Sequence, residues 1–231
     1  MNIIELGQVS KSFGPVKALE KINLTLESGR IIGLLGTNGS GKSTMIKLIN
    51  DLLVPDQGIV KVNGQKPGIE TKKIVSYLPE RSYLDPNMKV VEILRYFQDF
   101  YADFDRQKAE DLLKEFMIPV ERRIKTLSKG TREKVQLILV MSRKAKLYIL
   151  DEPMAGVDPA VRDHILDTIL SGYDEEATIL ISTHLIADVE RVLDEVIFLD
   201  HGRITRHEQA DQLRMREGKS IDQIFREDFR C

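Results

Sequence analysis

The 231 residues are 42% hydrophobic and carry 34 Lys and Arg against 36 Asp and Glu, a formal net charge of −2. A chain this long can bury a sizeable core as one domain with room for an inserted lobe, and its balance of charge leaves no electrostatic footprint for nucleic acid or an acidic membrane surface. No apolar run approaches the roughly 20 residues that span a bilayer, Met1 to Glu5 lack a signal-peptide pattern, and the single cysteine, Cys231, leaves no internal disulfide and points to a reducing compartment.

In chain order, Ile22, Leu24 and Leu26 alternate with Asn23, Thr25 and Glu27 before the Ser28-Gly29 turn, so the first 30 residues predict strands of a curled antiparallel sheet. Phe13 lies on a turn within Lys11-Ser12-Phe13-Gly14, where its ring either stacks a base or packs into that sheet. Ile31 to Leu35 form an apolar strand that runs into the glycine-rich turn Gly36 to Thr44. Gly36, Gly39 and Gly41 let consecutive N–H groups converge on an anion at the start of a helix whose apolar positions are Met45, Ile46, Ile49, Leu52 and Leu53. The turn reads as a phosphate cradle built from the backbone and hydroxyls of Asn38, Gly39, Ser40, Gly41, Lys42, Ser43 and Thr44. Lys42 reaches the β- and γ-phosphates, and the Ser43 hydroxyl is placed to hold Mg²⁺. A strand over Ile59 to Asn63 then ends in Asn63-Gly64, a hairpin signal.

From about Val90 to Lys144 the spacing is helical, with Ile93, Leu94, Phe97, Phe100 and Tyr101, then Leu112, Leu113, Phe116 and Met117, punctuated by Pro79, Pro86 and Pro119. That spacing assigns the aromatic run Tyr96 to Phe104 to a helix core rather than to a base-stacking platform. Ser128 and Gly130 precede a helix from Arg132 to Arg143, as a second anion-binding end or as a plain cap. Buried strands over Leu147–Leu150, Thr178–Ser182 and Val196–Leu199 alternate with helices over Ala160–Leu170 and Leu185–Leu193, which predicts a parallel sheet with right-handed crossovers. The first of these strands delivers Asp151 and Glu152 to its carboxyl end, where open α/β sheets bind ligands. Asp151 suits a Mg²⁺ shell and Glu152 suits polarising an attacking water. His184 follows the next strand, either as a structural group or as a γ-phosphate sensor.

The order of these motifs resembles the ATP-binding subunits of ABC transporters over nearly the whole chain, to about Arg206. In that resemblance Gly36 to Thr44 is the Walker A motif, Tyr148 to Glu152 the Walker B motif, and Leu127-Ser128-Lys129-Gly130-Thr131 the signature. Ala155-Gly156-Val157-Asp158 looks like the D-loop, His184 the switch histidine, Phe13 the adenine-stacking residue, and Glu80 the residue of the Q-loop. The implied fold is α/β, a single domain over 1–231. A RecA-like P-loop NTPase core and an antiparallel β subdomain occupy 1–78 and 145–206, an inserted helical subdomain 79–144, and a C-terminal tail 207–231. Two subunits, like or unlike, are implied to sandwich two ATP molecules head to tail, with Ser128 and Gly130 meeting the opposed γ-phosphate. A separate membrane permease is the implied partner, which would hold the protein in the cytoplasm at the inner face of the membrane. The Tyr77-Leu78-Pro79-Glu80 stretch and the short tail near Ile224-Phe225-Arg226 look like bacterial exporters of that arrangement.

Four positions depart from the family pattern. Lys129 and Thr131 replace two signature residues, Glu80 replaces a glutamine while keeping an oxygen ligand for Mg²⁺, and Phe13 replaces a tyrosine while keeping its stacking face. In the family the region of Arg81 to Met88 receives a permease helix, which makes Tyr83, Leu84 and Met88 either apolar anchors for that partner or closure for the helical subdomain. Related ATPases of DNA repair or translation carry the same motifs, as do regulatory subunits that do not hydrolyse. The 231 residues show no long coiled-coil insertion, second ATPase domain or basic arm, and Asp151, Glu152 and His184 are intact. The expected function is therefore hydrolysis of Mg-ATP to drive transport through a permease, with no nucleic-acid partner.

Overall fold

A computed structural model describes residues 1–155, 157–172, 174 and 176–229. β1 (Asn2–Phe13) and β2 (Val16–Glu27) pair antiparallel, and β2 buries Ile22, Leu24 and Leu26 while Asn23 and Thr25 face out. β3 (Ile31–Leu35) is buried on both faces and leads through the glycine turn into α1 (Lys42–Ile49). β4 (Gln57–Val62) returns to pair with β1, and α2 (Ile69–Ile74) leads into β5 (Val75–Leu78). The helices α3 (Val90–Phe100), α4 (Arg106–Glu115) and α5 (Lys129–Met141) follow. β6 (Leu147–Asp151), α6 (Pro159–Ser171), β7 (Thr178–Thr183), α7 (Ile186–Val189), β8 (Glu195–Asp200), β9 (Arg203–Gln209), α8 (Ala210–Glu217) and α9 (Ile221–Asp228) complete the chain.

The strands form a three-stranded sheet ordered β2-β1-β4 and a six-stranded sheet ordered β5-β6-β7-β3-β8-β9. The larger sheet is parallel except for the β8–β9 pair. Alternation along β3 sends Ile32 and Leu34 into a core shared with β1, β2 and α1, and Ile31 and Leu35 into a second core beneath α5, α6, α8 and α9. Two covered faces explain the continuous apolar run of this strand. Because β3 inserts between β7 and β8, the carboxyl ends of β6, β7 and β3 lie side by side although they come from distant parts of the chain.

A third core joins α3, α4 and the outer face of α5, with Leu84, Ile93, Phe97, Leu113 and Val135 buried within residues 79–144. Arg143 fastens this lobe to the sheet. Its guanidinium donates to both carboxylate oxygens of Asp103 at 3.0 Å, to the carbonyl of Val75 at 2.6 Å and to that of Lys73 at 2.8 Å, and it lies 3.9 Å from the centre of the Tyr101 ring. Arg143→Met removes the charge and leaves these acceptors unpaired in a buried site. The expected loss is about 3 kcal/mol, or roughly 6–12 °C in melting temperature by calorimetry.

Several sequence expectations are corrected. α1 stops at Ile49, where Asn50 donates its side-chain amide to the Ile46 carbonyl and Asp51 takes φ 57°, so Leu52 lies beyond the helix and is exposed. Asn63 and Gly64 adopt the positive φ of a hairpin turn, but the return leg pairs only as a single bridge between Val62 and Gln65 before Pro67, which lacks a donor, and α2. Phe100 and Met117 are exposed; Phe100 ends α3 on its outer face, and Met117 follows the end of α4 with φ 54°. The helix expected over 185–193 is one α-helical turn and a 3-10 turn, ended where Asp194 pairs with the backbone of Ile31. The boundary at 206/207 falls inside β9, and α8 and α9 bury Leu213, Ile224 and Phe225 in the main core.

Candidate phosphate site

The glycine turn closes tightly between β3 and α1. A Cβ on Gly36 would lie 2.4 Å from Ser40 Oγ and 2.5 Å from the Leu199 carbonyl oxygen. Gly41, at φ 112°, would bring one within 2.5 Å of the Ala18 carbonyl oxygen. Lys42 opens α1 and is buried, with Nζ donating to the carbonyl oxygens of Gly36 at 2.7 Å and Thr37 at 3.2 Å. Burial holds its ammonium below the ordinary lysine range, an effect opposed by the carboxylates of Glu152, Asp151 and Glu80. A buried cation that spends its donors on its own loop is poised to exchange them for phosphate oxygens.

Asp151 ends β6 and is buried beside Ser182 of β7, whose Oγ donates to Asp151 Oδ1 at 2.5 Å. Burial pushes the Asp151 carboxyl up, while the Ser182 and Ser43 hydroxyls pull it back and Glu80 adds repulsion. Glu152 follows with φ 52°, a left-handed backbone that disfavours a residue with a Cβ. Its N–H is held by the Ser182 carbonyl at 2.9 Å. The Glu152 carboxylate lies 2.9 Å from His184 Nδ1 through one oxygen and 3.8 Å from Lys42 Nζ through the other. Strain of this kind at a strand end, held by neighbouring strands, is characteristic of functional sites.

Asn38 to Thr44, Glu80, Glu152, Ala155 and His184 line one cleft of about 420 Å³, with Val16 and Ala18 of β2 at its side. A second cleft of about 410 Å³ shares Glu80 and Glu152 and continues past Asp151 to Lys129, Arg132 and Gln136 of α5. The structure thus brings together the loop, Lys42, Ser43, Asp151, Glu152, His184 and Glu80. Phe13, half-exposed at the end of β1 with Lys11 Nζ 5.6 Å from its ring centre, is not buried in the small sheet and does not line the first cleft. Ser128 caps α5, its Oγ accepting from the Thr131 N–H at 3.1 Å, and neither it nor Gly130 lines the cleft. Gly156 of the expected D-loop and Cys231 lie outside the described residues. Leu84 is buried in the helical lobe and Met88 packs against it, which leaves Tyr83 as the exposed one of the three proposed anchors.

The donor set fits Mg²⁺. Among the described residues no three His, Cys, Asp or Glu side chains are grouped to hold a metal, whereas the adjoining Ser43 hydroxyl and Asp151 carboxyl supply two hard oxygens. Mg²⁺ commonly takes one or two protein ligands and completes its shell with waters and phosphates. Ser182 is the site residue that the sequence reading missed. Its signal was a hydroxyl in the otherwise apolar run Ile179-Leu180-Ile181.

Comparison with known proteins places these features in context. The family model described as ABC transporter matches residues 19–155. The ABC transporter ATP-binding protein YtrB of Bacillus subtilis is 31% identical over 215 residues, covering 92% of this chain and 74% of its own. A solved ATP-binding subunit of an ABC transporter superposes with a TM-score of 0.83 at 30% identity, covering 97% of this chain and 98% of the other. A dimeric bacterial ABC transporter cassette superposes with a TM-score of 0.75 at 22% identity, covering 89% and 98%, which shows the shared fold.

Proposed function

Because the chain belongs to the ABC transporter family, as an ATP-binding subunit whose ATPase activity is coupled to transport, we propose that it hydrolyses Mg-ATP between two head-to-tail copies and drives a separate membrane permease. The observation that carries this reading is the meeting, at one glycine-lined cleft, of Lys42 from the start of α1 with Glu152 and His184 from the ends of the adjacent strands β6 and β7. Lys42 and the loop amides hold the phosphates. Ser43 and Asp151, with Glu80 nearby, would hold Mg²⁺, which would supply charge neutralisation at the phosphate oxygens. Glu152 takes the proton of the attacking water, and His184 holds that carboxylate until a γ-phosphate arrives to engage its ring.

Ser128 and Gly130 stand apart from the cleft of their own chain, which suits them to complete the site of a second copy. Phe13 supplies an adenine-stacking face at the margin of the site. Residues 79–144 act as the helical subdomain against the core at 1–78 and 145–206, and Tyr83 is the anchor for the permease. Among the described residues no helix is long and apolar enough to cross a membrane, so membrane attachment at the cytoplasmic face runs through the permease.

Purified protein with Mg-ATP at about 100 times its dissociation constant should gain about 2.7 kcal/mol, roughly 5–10 °C in melting temperature, and release phosphate. Absence of both responses would overturn the reading. In membranes the protein should co-purify with a chain of several long apolar spans, and Tyr83→Ser should weaken that association without altering the melting temperature.

A further inference from the structure

Ser182 occupies an unusual place for a hydroxyl. It is fully buried in β7 behind Ile179, Leu180 and Ile181, directly opposite Asp151 in the β6–β7 register. A buried hydroxyl is unfavourable unless its hydrogen bonds are made, and here they are made entirely to the catalytic end of β6. Oγ donates to Asp151 Oδ1 at 2.5 Å and lies 3.2 Å from the Glu152 N–H, which also donates to the Ser182 carbonyl at 2.9 Å. Two residues further on, the same strand delivers His184, with Nδ1 2.9 Å from Glu152 Oε2.

We propose that Ser182 is the positioning residue of the ATPase site: its hydroxyl fixes the rotamer of the Asp151 carboxylate and, through the shared contact with the Glu152 amide, the left-handed backbone that aims Glu152 at the cleft. The inference rests on the reading of Asp151 as a metal-holding group and Glu152 as the proton acceptor. Oδ1 of Asp151 takes the serine hydroxyl, and the same carboxyl also meets the Ser43 hydroxyl, so its orientation decides whether the two residues' oxygens converge to hold one cation. Without the hydroxyl, β7 would still pair with β6 through its backbone, so the fold persists while the carboxylate is free to rotate. Lys42 keeps its bonds to the carbonyls of Gly36 and Thr37 in either case, and Ser182 contacts none of the loop amides, so metal-free nucleotide affinity should change little.

The test compares Ser182→Ala, Ser182→Val and Ser182→Thr with the wild-type protein. Thr and Val have the same shape and differ by the hydroxyl, which separates positioning from packing. The measurements are Mn²⁺ affinity in the presence of a non-hydrolysable ATP analogue by electron paramagnetic resonance, fluorescent nucleotide affinity in EDTA, kcat and KM, and melting temperature. Ala and Val should each weaken Mn²⁺ binding and lower kcat by about tenfold, the scale of lost second-layer hydrogen bonds at metal sites, with KM and metal-free affinity within about twofold. Thr should stay within about threefold of wild type in both. An alanine variant with wild-type Mn²⁺ affinity and kcat, or a threonine variant that falls as far as valine, overturns the inference alone. A wild-type protein that binds no Mn²⁺ with nucleotide overturns the functional reading and this inference together.

Discussion

Glu152→Gln should lower ATP turnover about 10²–10³-fold while ATP affinity stays within a few-fold of wild type. The substitution removes the group proposed to accept the proton of the attacking water and little else. Glutamine has the same shape, keeps an oxygen to meet His184 Nδ1 at the 2.9 Å spacing, and leaves the backbone bond from residue 152 to Ser182 in place. Binding depends on the loop and on Lys42, which lies 3.8 Å away and loses only a partner it does not need once phosphate arrives. With hydrolysis blocked, the ATP-loaded state should accumulate, so light scattering should show an ATP-dependent dimer for this variant and a monomer without nucleotide. A phosphate-release rate equal to wild type would remove Glu152 from the role of base. A variant that stays monomeric at saturating ATP and high protein concentration would instead favour an unlike partner subunit over a second copy.

Lys42→Met should weaken ATP binding at least about 100-fold, because a buried cation opposed to two phosphates is replaced by a neutral stem of similar length. The fold should tolerate the change. In the nucleotide-free protein the Lys42 ammonium is desolvated, donates to the carbonyls of Gly36 and Thr37 and lies 3.8 Å from the Glu152 carboxylate. Methionine gives up those two bonds and also the burden of burying a charge, so the melting temperature without nucleotide should move by no more than about 3 °C. The sign of the pH dependence distinguishes this account from a packing effect. Burial holds the folded-state pKa of Lys42 below its ordinary value of 10.5, so between those two values the unfolded chain binds more protons than the folded one. Wild-type stability relative to Lys42→Met should therefore rise as pH climbs toward 10.5 and be lowest near neutrality. An ATP affinity for Lys42→Met equal to wild type, measured by isothermal titration, would remove Lys42 from the phosphate site.

What the sequence determined by itself was local chemistry carried on regular elements. The apolar run before Gly36, the Gly-Lys-Ser-Thr ending and the buried strand before Asp151-Glu152 each announce both their secondary structure and their donor groups, because period-two burial and glycine spacing are properties of short segments. Failures clustered where a segment's end is set by its surroundings. Leu52 and Met117 continue a helical pattern but fall beyond left-handed residues or caps that stop the helix, and Phe100 keeps helical spacing on a face that no neighbour covers. Only the tertiary structure could reveal that β3 inserts between β7 and β8, since strand order depends on which faces the crossover helices bury and not on the strands' own residues. That insertion brings Lys42, Glu152 and His184 within bonding range from positions more than 140 residues apart at the extremes, roughly as the crossover rules allow. It also gives Ser182 its place. In the sequence it is one polar residue in an apolar strand, and its meaning comes from the β6–β7 register that sets it opposite Asp151, a long-range alignment that no local pattern encodes.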